Sequence, residues 1–383
     1  MTNNKPLKDV IVLDLTRVLA GPYCTMILAD LGAEVIKVER PGVGDDSRAF
    51  GPFINGKSAY FISLNRGKKS IVLNLKDEKD REIFKQLVKK VDVLTENFRP
   101  GTMEKLGFGY EELKKINPRL IYAATSGFGH TGPKSKKAAY DMIVQAAGGI
   151  MSITGHPGGP PTRVGASIGD IIAGLFTAIG VCAALYQREK TGKGQKIDVA
   201  MLDSQVAILE NAIARYIVTG EPPKPLGARH PSITPFEAFK AADDWVIIAI
   251  GNDALWAKFC KAVGREDLID HPEFATNAKR TENYDKLKPI MDEIISKKTA
   301  AEWIEELDKA GIPVGPINTI DKLFEDPQIK ARNMLVDVND PEIGKMKVAG
   351  NPIKMSSFED EKDRQPAPNL GEHTEEILKR FLG

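Results

Sequence analysis

Two apolar patterns alternate from the start of the chain. Val10–Leu15 is a nearly continuous apolar run, as expected of a strand buried on both faces of a parallel sheet. Gly21-Pro22 interrupts it. Pro22 suits the first position of a helix, apolar residues continue to Leu31, and Gly32 supplies the stop. Glu34–Glu39 then reads as a second strand, so the chain opens on a β-α-β unit. The alternation continues through a strand at Ser70–Leu75, an amphipathic helix at Asp77–Lys90 and a strand at Asp92–Glu96. A short helix at Tyr110–Ile116 and a strand at Leu120–Ser126 follow. This order predicts an α/β fold with a doubly wound, mostly parallel, Rossmann-like sheet.

Further along, the glycine- and proline-rich segment Gly155–Gly169 precedes a long apolar helix beginning at Asp170. Lys196–Ala200 reads as a strand and Leu202–Val218 as one helix. The composition changes at Gly220–Leu226 (GEPPKPL), which marks a domain crossing. Beyond it, Phe236–Lys240 and Trp245–Ile250 form a hairpin pattern, and charged helices run to about Ala310. Gly311–Ile320 is expected to return the chain to the first domain. Met334–Val338 with Lys345–Ala349 suggests a second hairpin, and Glu372–Phe381 a closing helix. The expected organisation is a large α/β domain over 1–220, a smaller α+β domain over 225–315, and a C-terminal return to the large domain over 316–383.

Charge narrows the function classes. Lys+Arg 53 against Asp+Glu 52 gives a net +1, so no overall field draws the chain to nucleic acid or to an anionic membrane. An anionic ligand must be held by local basic groups. The three cysteines, Cys24, Cys182 and Cys260, lie far apart, and the five histidines form no HxH or HExxH cluster. No metal site is expected. Cys24 and Cys182 sit in apolar helical contexts and read as core residues. The uncharged run Ile171–Gln187 falls short of the roughly 18 to 20 residues that span a bilayer and reads as a buried helix. With no signal-peptide core at the N-terminus, a cytoplasmic protein is expected.

The usual cofactor fingerprints are missing: there is no GxxxxGK[ST] loop, no complete GxGxxG and no GxSxG elbow. The most informative local feature is Gly165-Ala166-Ser167-Ile168-Gly169-Asp170 ahead of the apolar helix. Asp170 stands at the predicted N-cap, where the simplest role is to accept hydrogen bonds from the first turn, worth about 1 kcal/mol. The alternative is a nucleophile. The helix dipole would then hold the carboxylate ionised, below its usual value of about 3.9.

The chain resembles the class III CoA-transferases, the family of formyl-CoA transferase, carnitine CoA-transferase and the succinyl-CoA:dicarboxylate transferases. The resemblance is carried by Val12–Gly21 (VLDLTRVLAG), Asp30–Arg40 (DLGAEVIKVER), Glu96–Gly101 (ENFRPG), Ser126–Pro133 (SGFGHTGP) and Gly165–Asp170. It continues through Thr191–Ser204 (TGKGQKIDVAMLDS), Gly311–Ile317 (GIPVGPI) and Leu370–Leu378 (LGEHTEEIL). The order and spacing of these stretches make the resemblance specific. It implies that Asp170 is the catalytic nucleophile, passing through an aspartyl mixed anhydride and an aspartyl-CoA thioester. CoA and acyl-CoA would be substrates, with no permanently bound cofactor. The resemblance further implies an interlocked homodimer, with each active site between the large domain of one chain and the small domain of its partner.

Positions matching the family's CoA contacts are Val18, Arg40, Leu73, Lys76, Asn97, Phe98, Lys105 and Leu106, with Arg99 and Lys137 near enough to help. Lys105 stands where a relative has arginine, turning a bidentate phosphate clasp into a point charge, and Ala138 stands where a lysine is known. Leu19 replaces the glutamine that touches substrate in formyl-CoA transferase, and Ala249–Asp253 lacks that enzyme's glycine run. Formate-to-oxalate exchange is therefore not expected. Phe50–Asn65 resembles the succinyl-CoA-dependent branch, for which Arg17, Arg48 and Arg163 are candidate cations for a distal carboxylate. Within SGFGHTGP the family commonly has glutamine at His130, which reads as a polar loop residue. The partners implied are an acyl-CoA, with succinyl-CoA as the candidate donor, and a small carboxylic acid. Two alternatives stand beside transfer: racemisation of a 2-methylacyl-CoA, and acyl-CoA binding without turnover. Tyr140 and Asn252 occupy positions where the racemase has its bases.

Overall fold

Side chains on successive strand residues point to opposite faces, and this sheet uses both faces. The computed structural model describes residues 5–383. Its six-stranded parallel sheet comprises β1 (Ile11–Asp14), β2 (Glu34–Glu39), β3 (Lys69–Val72), β4 (Val93–Glu96), β5 (Ile121–Ser126) and β6 (Lys196–Ala200), in the order β3-β2-β1-β4-β5-β6. Leu13, Ile36, Leu94 and Tyr122 pack on one face against α2 (Glu78–Val88), α3 (Tyr110–Ile116) and the closing helix Thr374–Leu382. Their neighbours Val12, Val35, Val93 and Ile121 pack on the other, against α1 (Ala20–Asp30) and α5 (Ile168–Thr191). The single-residue offset between the two sets is why these strands read as continuous apolar runs.

The described residues fall into two compact units. The larger takes in residues up to Met151, Arg163–Glu221 and Pro327–Gly383, and the smaller takes in Ser152–Thr162 and Pro222–Asp326. The smaller unit contains an antiparallel sheet of β7 (Phe236–Lys240), β8 (Trp245–Ala249) and β9 (Val314–Pro316). Phe239, Trp256, Phe259 and Trp303 fill its core, and a Thr299–Glu302 capping box starts one of its helices. In the larger unit, β10 (Leu335–Asp340) and β11 (Gly344–Ala349) make the second hairpin.

Several local expectations are corrected. Pro22 is the third residue of α1, not the first, because the helix begins at Ala20. The helix expected over Leu202–Val218 is two helices, α6 (Met201–Ala207) and α7 (Ala212–Thr219), separated where Glu210 adopts a left-handed φ of 55°. Val314–Pro316 joins the smaller sheet, so the chain re-enters the larger unit only at Pro327. The apolar helix α5 begins at Ile168 and runs 24 residues, long and apolar enough by composition to cross a membrane. One face of it packs in the sheet's core.

Candidate active site

In an open parallel sheet, ligands bind beyond the carboxyl ends of the strands where the strand order reverses. Here that point lies between β1 and β4. The loops leaving these strands carry Arg17-Val18 and Asn97-Phe98, and they are tied together. The Arg17 N–H donates to Asn97 Oδ1 at 2.9 Å, and Asn97 Nδ2 donates to the Arg17 carbonyl at 2.8 Å. Val18 has φ of 69°, a strained conformation for a β-branched residue, and its N–H donates to Asp45 Oδ1 at 3.0 Å. Burial opposes ionisation of Asp45, but the buried Lys37 ammonium 2.8 Å away holds its carboxyl well below the usual range.

A cavity of about 240 Å³ opens at this point, lined by Arg17, Val18, Leu19, Asn97, Phe98, Arg99, Ser126, Gly127, Lys137, Tyr140 and Asp170 among others. A second cavity of about 360 Å³, lined by Lys37, Arg40, Leu73, Lys76, Phe98 and Leu106, shares Arg17 and Phe98 with the first. The expected contacts thus divide. Val18, Asn97, Phe98 and Lys137 line the Asp170 cavity, whereas Arg40, Leu73, Lys76, Phe98 and Leu106 line its neighbour. Lys105, exposed on the short helix Thr102–Lys105, lines neither.

The three arginine candidates separate in the same way. Arg48 is held by both oxygens of Glu39, at 2.7 and 2.8 Å, and lies over Phe61. Arg163 donates to the carbonyls of Val164 and Gly165 at 3.0 Å. Neither lines the Asp170 cavity. Arg17 lines both cavities, paired with Asp46 at 2.9 Å.

Asp170 is not the N-cap. Ser167 occupies that position, without a capping hydrogen bond from its side chain, and Asp170 is the third residue of α5. The N-terminus is capped from outside instead: Asp141, the first residue of α4 (Asp141–Ala147), accepts from the Gly169 N–H at 2.8 Å. Asp141 also accepts from Gln145 Nε2 at 2.9 Å, and Gln145 Oε1 accepts from the Val164 N–H at 2.9 Å, which braces the glycine-rich approach. The approach needs Gly169, since a Cβ there would fall 2.6 Å from Val144 Cγ2.

The expectation that the helix dipole keeps Asp170 below its ordinary value is also overturned. Burial and the neighbouring Asp141 carboxylate raise it to about 7, against a hydrogen bond from the Ala20 N–H at the start of α1. A carboxylate so tuned is ionised in part at neutral pH and more basic than an ordinary one. It is suited to attack an electrophilic carbonyl in the cavity. Tyr60, pushed up to about 12 by burial and by Asp170, keeps its proton beside it. Asp141, Gln145 and Tyr60 were missed in the sequence. Only the i, i+4 spacing of Asp141 and Gln145 on one helix hinted at a linked pair.

The raised value has a thermodynamic consequence. The folded protein binds the Asp170 proton more tightly than the unfolded chain does. Its contribution to stability therefore falls as pH rises from about 4 to about 7, and the cost is fully present above that. Asp170→Asn is accordingly expected to melt above the wild type at alkaline pH, with the gap closing in acid. Melting curves on both sides of this range test it, and a gap independent of pH would contradict it.

Comparison with known proteins supplies independent findings. The model for CoA-transferase family III matches residues 7–374. The acetyl-CoA:oxalate CoA-transferase of Acetobacter aceti is 49% identical over 98% of this chain and 96% of its own length. The succinyl-CoA:glutarate CoA-transferase of Mus musculus is 44% identical over 99% of this chain and 87% of its own. Among solved structures, a CAIB/BAIF family protein from Brucella suis superposes with a TM-score of 0.86 at 40% identity, covering 98% of this chain and 99% of the other.

Proposed function

The chain belongs to CoA-transferase family III and is a CoA-transferase. From that premise we propose that it moves CoA from succinyl-CoA to a second short dicarboxylic acid, with Asp170 as the group that is acylated. The observation that carries this reading is a half-buried carboxylate, raised to about 7, facing a cavity at the reversal point of the sheet. Each substrate acid named for the two relatives above is a dicarboxylate or is exchanged with one.

In the proposed reaction, Asp170 attacks the thioester carbonyl, the C–S bond breaks, and a mixed anhydride forms with release of CoA thiolate. The thiolate attacks the aspartyl carbonyl, expelling the first acid as its carboxylate and leaving an aspartyl-CoA thioester. The incoming carboxylate attacks that thioester and again releases thiolate. The thiolate then takes the new acyl group and frees Asp170. No water is consumed, so its exclusion protects both intermediates. Arg17 and Phe98 line both cavities, whose combined chemistry suits an elongated ligand. The nucleotide end of CoA is assigned to the side of Arg40 and Lys76, and the thioester to the side of Asp170. Arg17 is the arginine best situated for a distal carboxylate, because it alone of the three candidates lines the cavity.

With Leu19 in place of a polar side chain, succinyl-CoA with a dicarboxylate is expected to outperform formyl-CoA with oxalate. Initial rates on the two pairs decide this, and faster turnover of formyl-CoA with oxalate would contradict it. A second reading, acetyl-CoA as donor and oxalate as acceptor, is favoured by the Acetobacter relative and belongs in the same panel. Racemisation is disfavoured, because no histidine lines the Asp170 cavity and Tyr140 holds the position expected of one.

The same reading includes an interlocked homodimer. On α5, residues at helical spacing present Phe176, Ile179 and Tyr186 to solvent, opposite a buried face of Ala173, Ala178, Val181 and Leu185. On α7, Ile217 and Val218 are 74% and 84% exposed. Apolar area of this extent supports coverage by a second copy. The dimer is expected to persist in sedimentation at nanomolar concentration, because separating threaded chains requires unfolding. A fully active monomer would exclude it.

A further inference from the structure

Glu96 ends β4, directly before the Asn97–Pro100 loop that lines the Asp170 cavity, and its side chain is 2% exposed. Its Oε2 accepts from the Phe98 N–H at 2.8 Å and its Oε1 from the Tyr122 hydroxyl at 3.3 Å. Facing it is His130, in the Ser126–Pro133 loop after β5, whose continuation supplies Lys137 and Tyr140 to the same cavity. The His130 side chain is 9% exposed. Lys196 Nζ on β6 lies 3.0 Å from His130 Nδ1, and Asp198 Oδ2 accepts from the His130 N–H at 2.9 Å.

An ammonium can only donate, so Nδ1 is the acceptor and the ring proton resides on Nε2. That nitrogen is buried without a hydrogen-bond partner and lies 3.7 Å from Glu96 Oε1. A buried donor left this close to a carboxyl oxygen is a contact poised to close. It connects the two loops that frame the cavity.

We propose that Glu96 and His130 are positioning residues that form a proton-dependent brace between these loops, closed when Glu96 is ionised and open when it is protonated. The inference rests on the reading of this cavity as the CoA site. An ionised Glu96 accepts from Phe98, Tyr122 and His130 together. A protonated one must donate, and the first two of these neighbours and the Nε2–H all present donors to it, leaving the Tyr122 oxygen as its one acceptor. Burial raises Glu96 to about 7, with Glu104 adding to the rise while the bonds from Phe98 and Tyr122 and the Lys196 charge oppose it. Burial and Lys196 lower His130 from its ordinary value, Asp198 and Glu104 acting in the opposite sense. Glu96 is therefore the member of the pair that switches near neutrality.

The test measures CoA affinity by calorimetry in full-length Asp170→Asn protein, where the other carboxyl titrating near neutrality is gone. Glu96→Gln is compared in the same background at about pH 6 and about pH 8, a unit either side of neutrality. With Glu96 present, the loss of affinity in acid should exceed that of Glu96→Gln by about fivefold, a typical coupling between sites. The loss that Glu96→Gln retains belongs to the phosphates of CoA. Equal losses in the two proteins would overturn the brace. His130→Ala provides a second measurement should Glu96→Gln fold poorly: its affinity at the higher pH should fall to the acid level, and unchanged affinity would overturn the proposal. If Arg40→Ala with Lys76→Ala leaves CoA binding intact, the assignment of CoA to these cavities itself fails, and the brace falls with it.

Discussion

Replacement of Asp170 by asparagine is expected to lower turnover by at least roughly three orders of magnitude, as loss of an essential nucleophile does. The amide has nearly the shape of the carboxylate and leaves the external cap from Asp141 to Gly169 in place. It cannot attack a thioester. Affinity for acyl-CoA should change far less than turnover, because the basic residues of both cavities are untouched. Steady-state kinetics with purified variant separate the two quantities. Near-normal turnover would remove Asp170 from the mechanism. A large rise in KM with turnover unchanged would reassign it to binding.

Gly174→Ala is expected to damage both stability and turnover from a position outside the cavity. Gly174 lies where α5 crosses α1, and a Cβ there would meet the Ala20 carbonyl oxygen at 2.6 Å and Cys24 N at 3.3 Å. These are backbone atoms, so no side-chain rotation relieves the contact. Alanine in place of glycine inside a helix ordinarily adds about 1 kcal/mol. Overpacking of about 1 to 3 kcal/mol should exceed that gain. The damage should also reach the chemistry, because Ala20 starts the helix whose N–H is bonded to Asp170. Displacing that N–H by about 1 Å is expected to cost turnover on the order of a hundredfold. Melting and turnover measured on the same preparation test both effects. A higher melting temperature with normal turnover would show that the two helices can move apart freely.

Most of the larger unit was legible because its sheet is buried on both faces. Val12 and Leu13, or Val93 and Leu94, point into different cores, and so each strand reads as an unbroken apolar run. Glycine and proline signals then located the turns to within one or two residues. The start of α5 was missed because its cap is tertiary: Asp141 does the work expected of the residue before the helix, so Asp170 moves into the first turn. The same contact explains why the electrostatics of Asp170 were read with the wrong sign. A dipole argument uses local sequence, whereas burial and a carboxylate 29 positions away in the chain decide the outcome. The left-handed Val18 could not be anticipated, since valine disfavours that conformation and the Asp45 carboxylate that accepts from its N–H lies 27 positions away in the chain. The break between α6 and α7 at Glu210 carries no glycine or proline to announce it.

Covalent acylation of Asp170 is the centre of this account, and trapping tests it most directly. Wild-type protein incubated with succinyl-CoA and hydroxylamine, digested and mapped by mass spectrometry, should carry a hydroxamate at Asp170 and at no other carboxylate. Modification mapping to Glu96, Asp141 or any other acid, or efficient CoA transfer with no trapped residue, would contradict it.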